Sequence, residues 1–211
     1  MQKNKSLDII NLGEIIMYVL KDNVESLIEI KKSKFITKIY KVYSIDEVNI
    51  ILDKLREEYK DSTHICYAYR IGNIAKFSDD GEPGGTAGLP MMDTLIKKEL
   101  DYTLAVVIRY FGGIKLGSGG LVRAYTSCIS DTLNLGKLNI LENGYKIKIV
   151  TTYDKSKKLD YILKDKTNIQ KEYLEDVTYI LDVTKEELNK LDEWKPITID
   201  EIMIEKDSSK S

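Results

Sequence analysis

Asp79, Asp80 and Glu82 fall in one short string, Asp79-Asp-Gly-Glu-Pro-Gly-Gly-Thr-Ala-Gly88. Oxygen donors this closely spaced suit a hard divalent cation, acid–base chemistry, or the acceptance of hydrogen bonds from nearby bases. Arg109, Lys115 and Arg123 fall in a second string, Arg109-Tyr-Phe-Gly-Gly-Ile-Lys-Leu-Gly-Ser-Gly-Gly-Leu-Val-Arg-Ala-Tyr125, and no acid occurs from Tyr102 to Ser130. The two strings hold nine of the chain's thirteen glycines. Clustered glycine costs backbone entropy, so it implies positive φ angles or close approach of another group to the backbone.

The second string is the sharper chemical signal. A glycine-rich exit from a buried strand into a helix leaves backbone N–H groups unpaired, and the helix dipole favours negative charge at the same place. Gly112, Gly113, Gly117, Ser118, Gly119 and Gly120 would supply that backbone, and Arg109, Lys115 and Arg123 would add charge-assisted bonds to phosphate, RNA or a protein partner. A purely structural tight turn is an equal reading of the same residues. The string is not a Walker loop, because no Gly-Lys-Ser/Thr follows at the required spacing. For the acidic loop of Asp79, Asp80, Glu82 and Thr86, internal pairing with Arg109 or Arg123 competes with a metal or catalytic role. His64, the one histidine, and Arg70 are further candidates on the neighbouring strand. Alternation puts Cys66 on the same face as His64, but no second base supports cysteine-nucleophile chemistry.

These residues need a scaffold, and the pattern supplies an α+β one. Val24–Lys31 and Phe35–Tyr43 alternate as paired strands. Ser44 and Glu47 form a capping-box pattern ahead of a helix with Val48, Ile51, Leu52 and Leu55 on its apolar face. His64–Ile71 reads as a strand, the acidic string as a loop, and Thr86 as the cap of a helix carrying Leu89, Met92, Leu95 and Ile96. Thr103–Phe111 is a strand buried on both faces, and Gly120 to about Leu135 a helix with Leu121, Ala124, Cys128, Ile129 and Leu133 inward. Beyond Gly144 the order is βαββαβ: strand Tyr145–Tyr153, a helix capped by Asp154, strands Asn168–Leu174 and Val177–Val183, a helix Lys185–Trp194 capped by Thr184, and strand Pro196–Glu205. Two domains are expected, 17–140 and 144–206, with a polar tail at 207–211.

Residues 1–16 read as a non-native or disordered extension. Gly13-Glu14 can be encoded by a purine-rich GGAGAA, which resembles a translated ribosome-binding site, and Met17 follows at a suitable distance. Charge is nearly balanced: up to Gly144 there are 19 basic and 19 acidic residues, and after it 13 lysines and 15 acids. Neither half is a polycation, so bulk-charge binding of duplex nucleic acid is not expected. No apolar run is long enough for a bilayer, and the expected location is the cytoplasm. Cys66 and Cys128 fit no metal spacing and read as free thiols. No cofactor is expected.

At these strings the chain resembles the IMPACT family, in its bacterial YigZ branch. His64-Ile-Cys-Tyr-Ala-Tyr-Arg70 and the two glycine strings carry the resemblance, which covers the chain from Met17. Gly85 departs from the family, where serine is common. The resemblance implies a first domain of the ribosomal protein S5 second-domain type and a ferredoxin-like second domain similar to the last domain of elongation factor G. Eukaryotic relatives restrain an initiation-factor kinase by competing for its ribosome-associated activator. For this chain the implied role is a non-enzymatic binding protein in regulation of translation, through RNA, ribosome or protein contacts. The alternative is a phosphate- or nucleotide-binding enzyme using the acidic loop, the glycine-rich loop and a divalent cation.

Overall fold

Alternating side chains build the first sheet. In the computed structural model, described here for residues 17–206, β2 (Val24–Ile30) pairs antiparallel with β3 (Ser33–Lys41) across the Lys31-Lys32 turn. The sheet order is β2-β3-β6-β4-β5, with β4 (His64–Ile71), β5 (Ile74–Ser78) and β6 (Thr103–Tyr110). Every neighbour in it is antiparallel, so β6, with seven of its eight residues buried, sits at the centre. The expectation for residues 1–16 lies outside the described residues.

Helices cover both faces of this sheet. α1 (Ile45–Glu58) lies on one side and buries Val48, Leu52 and Leu55 against Leu104, Val106 and Ile108. Its Ser44 cap accepts from the Glu47 N–H, while the Glu47 carboxylate accepts from Tyr43 rather than from the cap residue itself. On the other side α2 (Gly88–Lys97) and α3 (Ser118–Leu133) pack over Cys66, Ala68, Ala105 and Val107. The inward stripe of α3 contains every apolar residue expected of it. In α2, Met91, Met92 and Leu95 face the sheet, whereas Leu89 and Ile96 are exposed, a rotation from the expected face.

The second sheet is organised by one long strand. β7 (Leu138–Thr151) starts well before the expected Tyr145 and runs without interruption through Gly144. A β-carbon on Gly144 would overlap the Ile204 side chain, so glycine here makes room for the neighbouring strand. Along one edge β7 pairs with β1 (Met17–Leu20) and then β9 (Val177–Thr184); along the other it pairs with β10 (Ile197–Lys206). β8 (Ile169–Tyr173) pairs with β9, while α4 (Tyr153–Ile162) and α5 (Lys185–Lys190) complete the order β7-α4-β8-β9-α5-β10. Thr184 and Glu187 form a reciprocal capping box on α5, which ends at Lys190, with Asp192–Trp194 a separate 3-10 turn. The expected Asp154 cap is in fact a first-turn residue of α4; Thr152 occupies the cap position. Mixed α+β architecture on two sheets is thus the fold. Among the described residues no helix is long and apolar enough to cross a membrane.

Candidate functional site

β4, the β5–α2 loop and the start of α3 converge at one end of the first sheet. The chain leaves β5 at Ser78 and turns back over the β4 terminus, because Asp80 adopts positive φ and its carboxylate accepts from the Ile65 N–H. Asp79 does something different. Its Oδ2 accepts from the Gly85 N–H at 2.8 Å, and its Oδ1 from Ala87 and Gly88 at 3.0 and 2.8 Å. Partial burial pushes the Asp79 carboxyl upward, but the three N–H donors outweigh it and hold it below its ordinary value. Asp79 therefore supplies the α2 capping role expected of Thr86, whose hydroxyl is instead turned back to the Pro83 carbonyl at 2.6 Å.

Glu82 points inward. Its residue surface is 7% exposed, and its Oε1 accepts from both Arg109 and, at 2.8 Å, the Tyr125 hydroxyl. The Arg109 guanidinium also donates to Ser33 Oγ and lies against the rings of Phe35 and Phe111, at 5.3 and 5.6 Å. Such a desolvated charge pair persists when hydrogen bonds and packing offset the cost of burial, and here both are present. Arg109 is thus not a surface contact for phosphate. It is 4% exposed and holds the acidic loop to the sheet, which corrects its expected place among the anion-binding residues.

Tyr125 and Cys66 extend the network. Cys66 Sγ lies 3.0 Å from the Asp79 carbonyl and 3.4 Å from the Tyr125 hydroxyl. Burial pushes the Cys66 thiol up to about 12 and raises Tyr125 as well, so both keep their protons at neutral pH. Neither is an activated nucleophile. His64 Nδ1 lies 2.8 Å from the Asp80 carbonyl, and because a carbonyl only accepts, Nδ1 carries a proton. Its Nε2 faces Glu82 Oε2 at 3.8 Å. Arg70 is turned away from this cluster and donates to the Leu100 carbonyl at 2.8 Å.

The carboxylates of Asp79, Asp80 and Glu82 each end on a separate partner and do not converge on a common point. Among the described residues no group of three or more His, Cys, Asp or Glu is placed to hold a metal ion.

The remaining bases lie outside. Phe111 to Gly117 passes over the β2–β3 turn so closely that a β-carbon on Gly112 would overlap the Lys32 carbonyl, and the Gly112 N–H donates to Ser33 Oγ. Gly113 is exposed on this passage, with φ +83°. Gly117, with φ +74°, is the α3 cap residue and offers no side chain. Ser118, Gly119 and Gly120 form the first turn, with no acid among them and no side-chain cap from Gly117, so their N–H groups lack an intrahelical partner. Lys115 and Arg123 are exposed and make no ion pair with another described residue. The fold adds two cations that the spacing did not single out: Lys31 and Lys32, exposed on the β2–β3 turn. Lys31 and Arg123 line one groove of about 210 Å³ with Leu116 and Gly120. The signal for Lys31 and Lys32 was a basic hairpin turn, legible only once pairing placed it beside the loop.

Comparison with known proteins falls on these same residues. A model of the Impact N-terminal domain matches residues 31–133, a span that holds both glycine strings and His64. The chain is 39% identical over 184 residues to the IMPACT family member YvyE of Bacillus subtilis (strain 168), an alignment covering 84% of each. It is 42% identical over 110 residues to the IMPACT family member YigZ of Escherichia coli (strain K12), covering 50% of this chain and 54% of that one. The crystal structure of a protein described only as hypothetical superimposes with a TM-score of 0.62 at 27% identity, covering 89% of this chain and 97% of the other.

Proposed function

Since the chain belongs to the IMPACT family, we propose that it is a non-enzymatic binding protein that acts in regulation of translation, contacting RNA of the ribosome through its glycine-rich loop. The observation that carries this reading is the set of exposed cations near the uncapped first turn of α3: Lys31 and Arg123 share a groove with Gly120, Lys32 lies under Gly112, and Lys115 is on the passage that leads into the helix. Opposite charge is withdrawn from that surface, because Glu82 is buried on Arg109 and Asp79 is spent on backbone N–H groups. Lys31 and Lys32 on the β2–β3 turn, Lys115 on the glycine-rich passage and Arg123 on α3 suit contact with a phosphate backbone, which needs no reading of bases. The implied kinship of both halves to ribosomal and translation-factor domains points the same way, as a fold-level analogy.

Sedimentation with ribosomes at low salt tests the reading. The protein is expected to co-sediment, to be released as salt rises, and to lose association when Lys115→Ala and Arg123→Ala are combined. Absence of co-sedimentation at low salt, or full association of the double variant, overturns it. No placement of the acidic loop favours the alternative of a metal-dependent nucleotide enzyme, since its carboxylates are engaged internally.

A further inference from the structure

The second sheet carries a basic cavity outside the span matched by the family model. The 3-10 turn Asp192–Trp194 ends on Lys195, held in the left-handed region at φ +50°. That reversal brings Trp194 and Lys195 beside Thr151 and Lys155, where β7 passes into α4. The cavity measures about 390 Å³ and is lined by Thr151, Lys155, Lys158, Glu193, Trp194 and Lys195. Its one carboxylate is already committed: Lys158 Nζ donates to both Glu193 oxygens at 3.0 and 3.2 Å, and sits 5.8 Å from the Trp194 ring centroid. Lys155 and Lys195 are exposed and make no ion pair with another described residue. Two uncompensated ammonium groups therefore share a wall with an indole.

We propose that this cavity binds a nucleoside monophosphate unit, its phosphate on Lys155 and Lys195 and its base against Trp194. Ammonium groups suit phosphate oxygens, and an indole face suits a planar base. The volume lies within the range of about 300–1,000 Å³ usual for small-molecule sites, which is more room than phosphate alone needs, and the base would share the half-buried indole with Lys158. The start of α4, where no side chain caps Thr152, adds a favourable dipole without itself defining the site. The unit is supplied either as a free nucleotide or within a single RNA strand. The inference stands apart from the glycine-rich loop, which lies in the other sheet's layer.

Trp194 is the chain's single tryptophan, so its fluorescence reports the cavity directly. The full chain is titrated with uridine monophosphate, with inorganic phosphate and with a short oligouridylate. A saturable change is expected with a uridylate, with inorganic phosphate weaker, and the Lys155→Gln/Lys195→Gln variant is expected to bind about ten-fold or more weakly at an unchanged melting temperature. The Lys115→Ala/Arg123→Ala variant is expected to keep wild-type binding here, which separates this site from the loop. Equal affinity for mononucleotide and oligonucleotide supports the free nucleotide as source; binding of the oligonucleotide alone supports the strand. No saturable change with any probe, undiminished binding by the lysine variant, or inorganic phosphate binding as tightly as the uridylate overturns the proposal.

Discussion

Glu82 shows how a carboxylate that looks catalytic in sequence becomes structural in the fold. Its Oε1 receives Arg109 and Tyr125 together, deep under the loop. Removing one member of such a pair leaves the other charge buried without compensation. Glu82→Ala is therefore expected to cost about 3–5 kcal/mol in urea unfolding. Replacing both, as Glu82→Leu with Arg109→Met, is expected to restore much of that loss, because no lone charge then stays inside. If the single variant unfolds like wild type, the pair is not holding the loop, and a role for Glu82 in ligand chemistry regains its case. The pairing of Glu82 with Arg109 was among the readings open in the sequence, but its depth was not. Tyr125 and Ser33, distant in sequence and chemically ordinary, complete the network only because α3 and β3 face each other across the core.

At the scale of elements, the glycine-rich passage works by being pressed against the β2–β3 turn. Gly112 admits that contact because it has no β-carbon to meet the Lys32 carbonyl. Gly112→Ala is expected to lose about 1–3 kcal/mol of stability, as an overpacked site does. It should also weaken ribosome association by moving Lys115 away from Lys31 and Lys32. Unchanged stability with a wild-type melting temperature would show that the passage is loosely held. The pattern of alternation and capping made most elements legible, from the β2–β3 hairpin to the βαββαβ order. Two strands escaped it. β5 follows the Gly72-Asn73 pair, a two-residue hairpin signal, yet its Ile-Ala-Lys-Phe-Ser run is short and mostly exposed. β1 has four residues, too few for alternation to declare itself, and owes its place to β7. The α2 cap was misplaced for a different reason: Asp79, nine residues before Gly88, reaches it through a loop that local spacing cannot foresee.

The two sheets are joined by chain and by charge. β1 pairs with β7 in the second sheet, while the Tyr18 N–H donates to the Glu99 carbonyl and Leu20 is buried in the first core. On the far edge of β7, Glu205 of β10 gathers Lys41 at 3.0 Å, Asn139 at 2.6 Å and the Tyr43 hydroxyl at 3.4 Å. Lys41 ends β3 of the first sheet and Tyr43 follows it, so this carboxylate binds the layers to each other as well as β10 to β7. Its loss leaves the Asn139 amide without its acceptor in a residue only 7% exposed. Glu205→Ala is accordingly expected to cost about 1–3 kcal/mol, the penalty for stranding a buried donor. Hydrogen exchange tells more than the midpoint does, because the amides of Lys41, Val42 and Tyr43 are bonded to Asn23, Tyr102 and Glu47, within the first layer. If Glu205 joins the layers, exchange should quicken at those three amides and along β10 together, while α4, remote from the joint, keeps its protection. Acceleration confined to β10 would mean that the carboxylate orders its own strand alone, and that β1 is what couples the two halves.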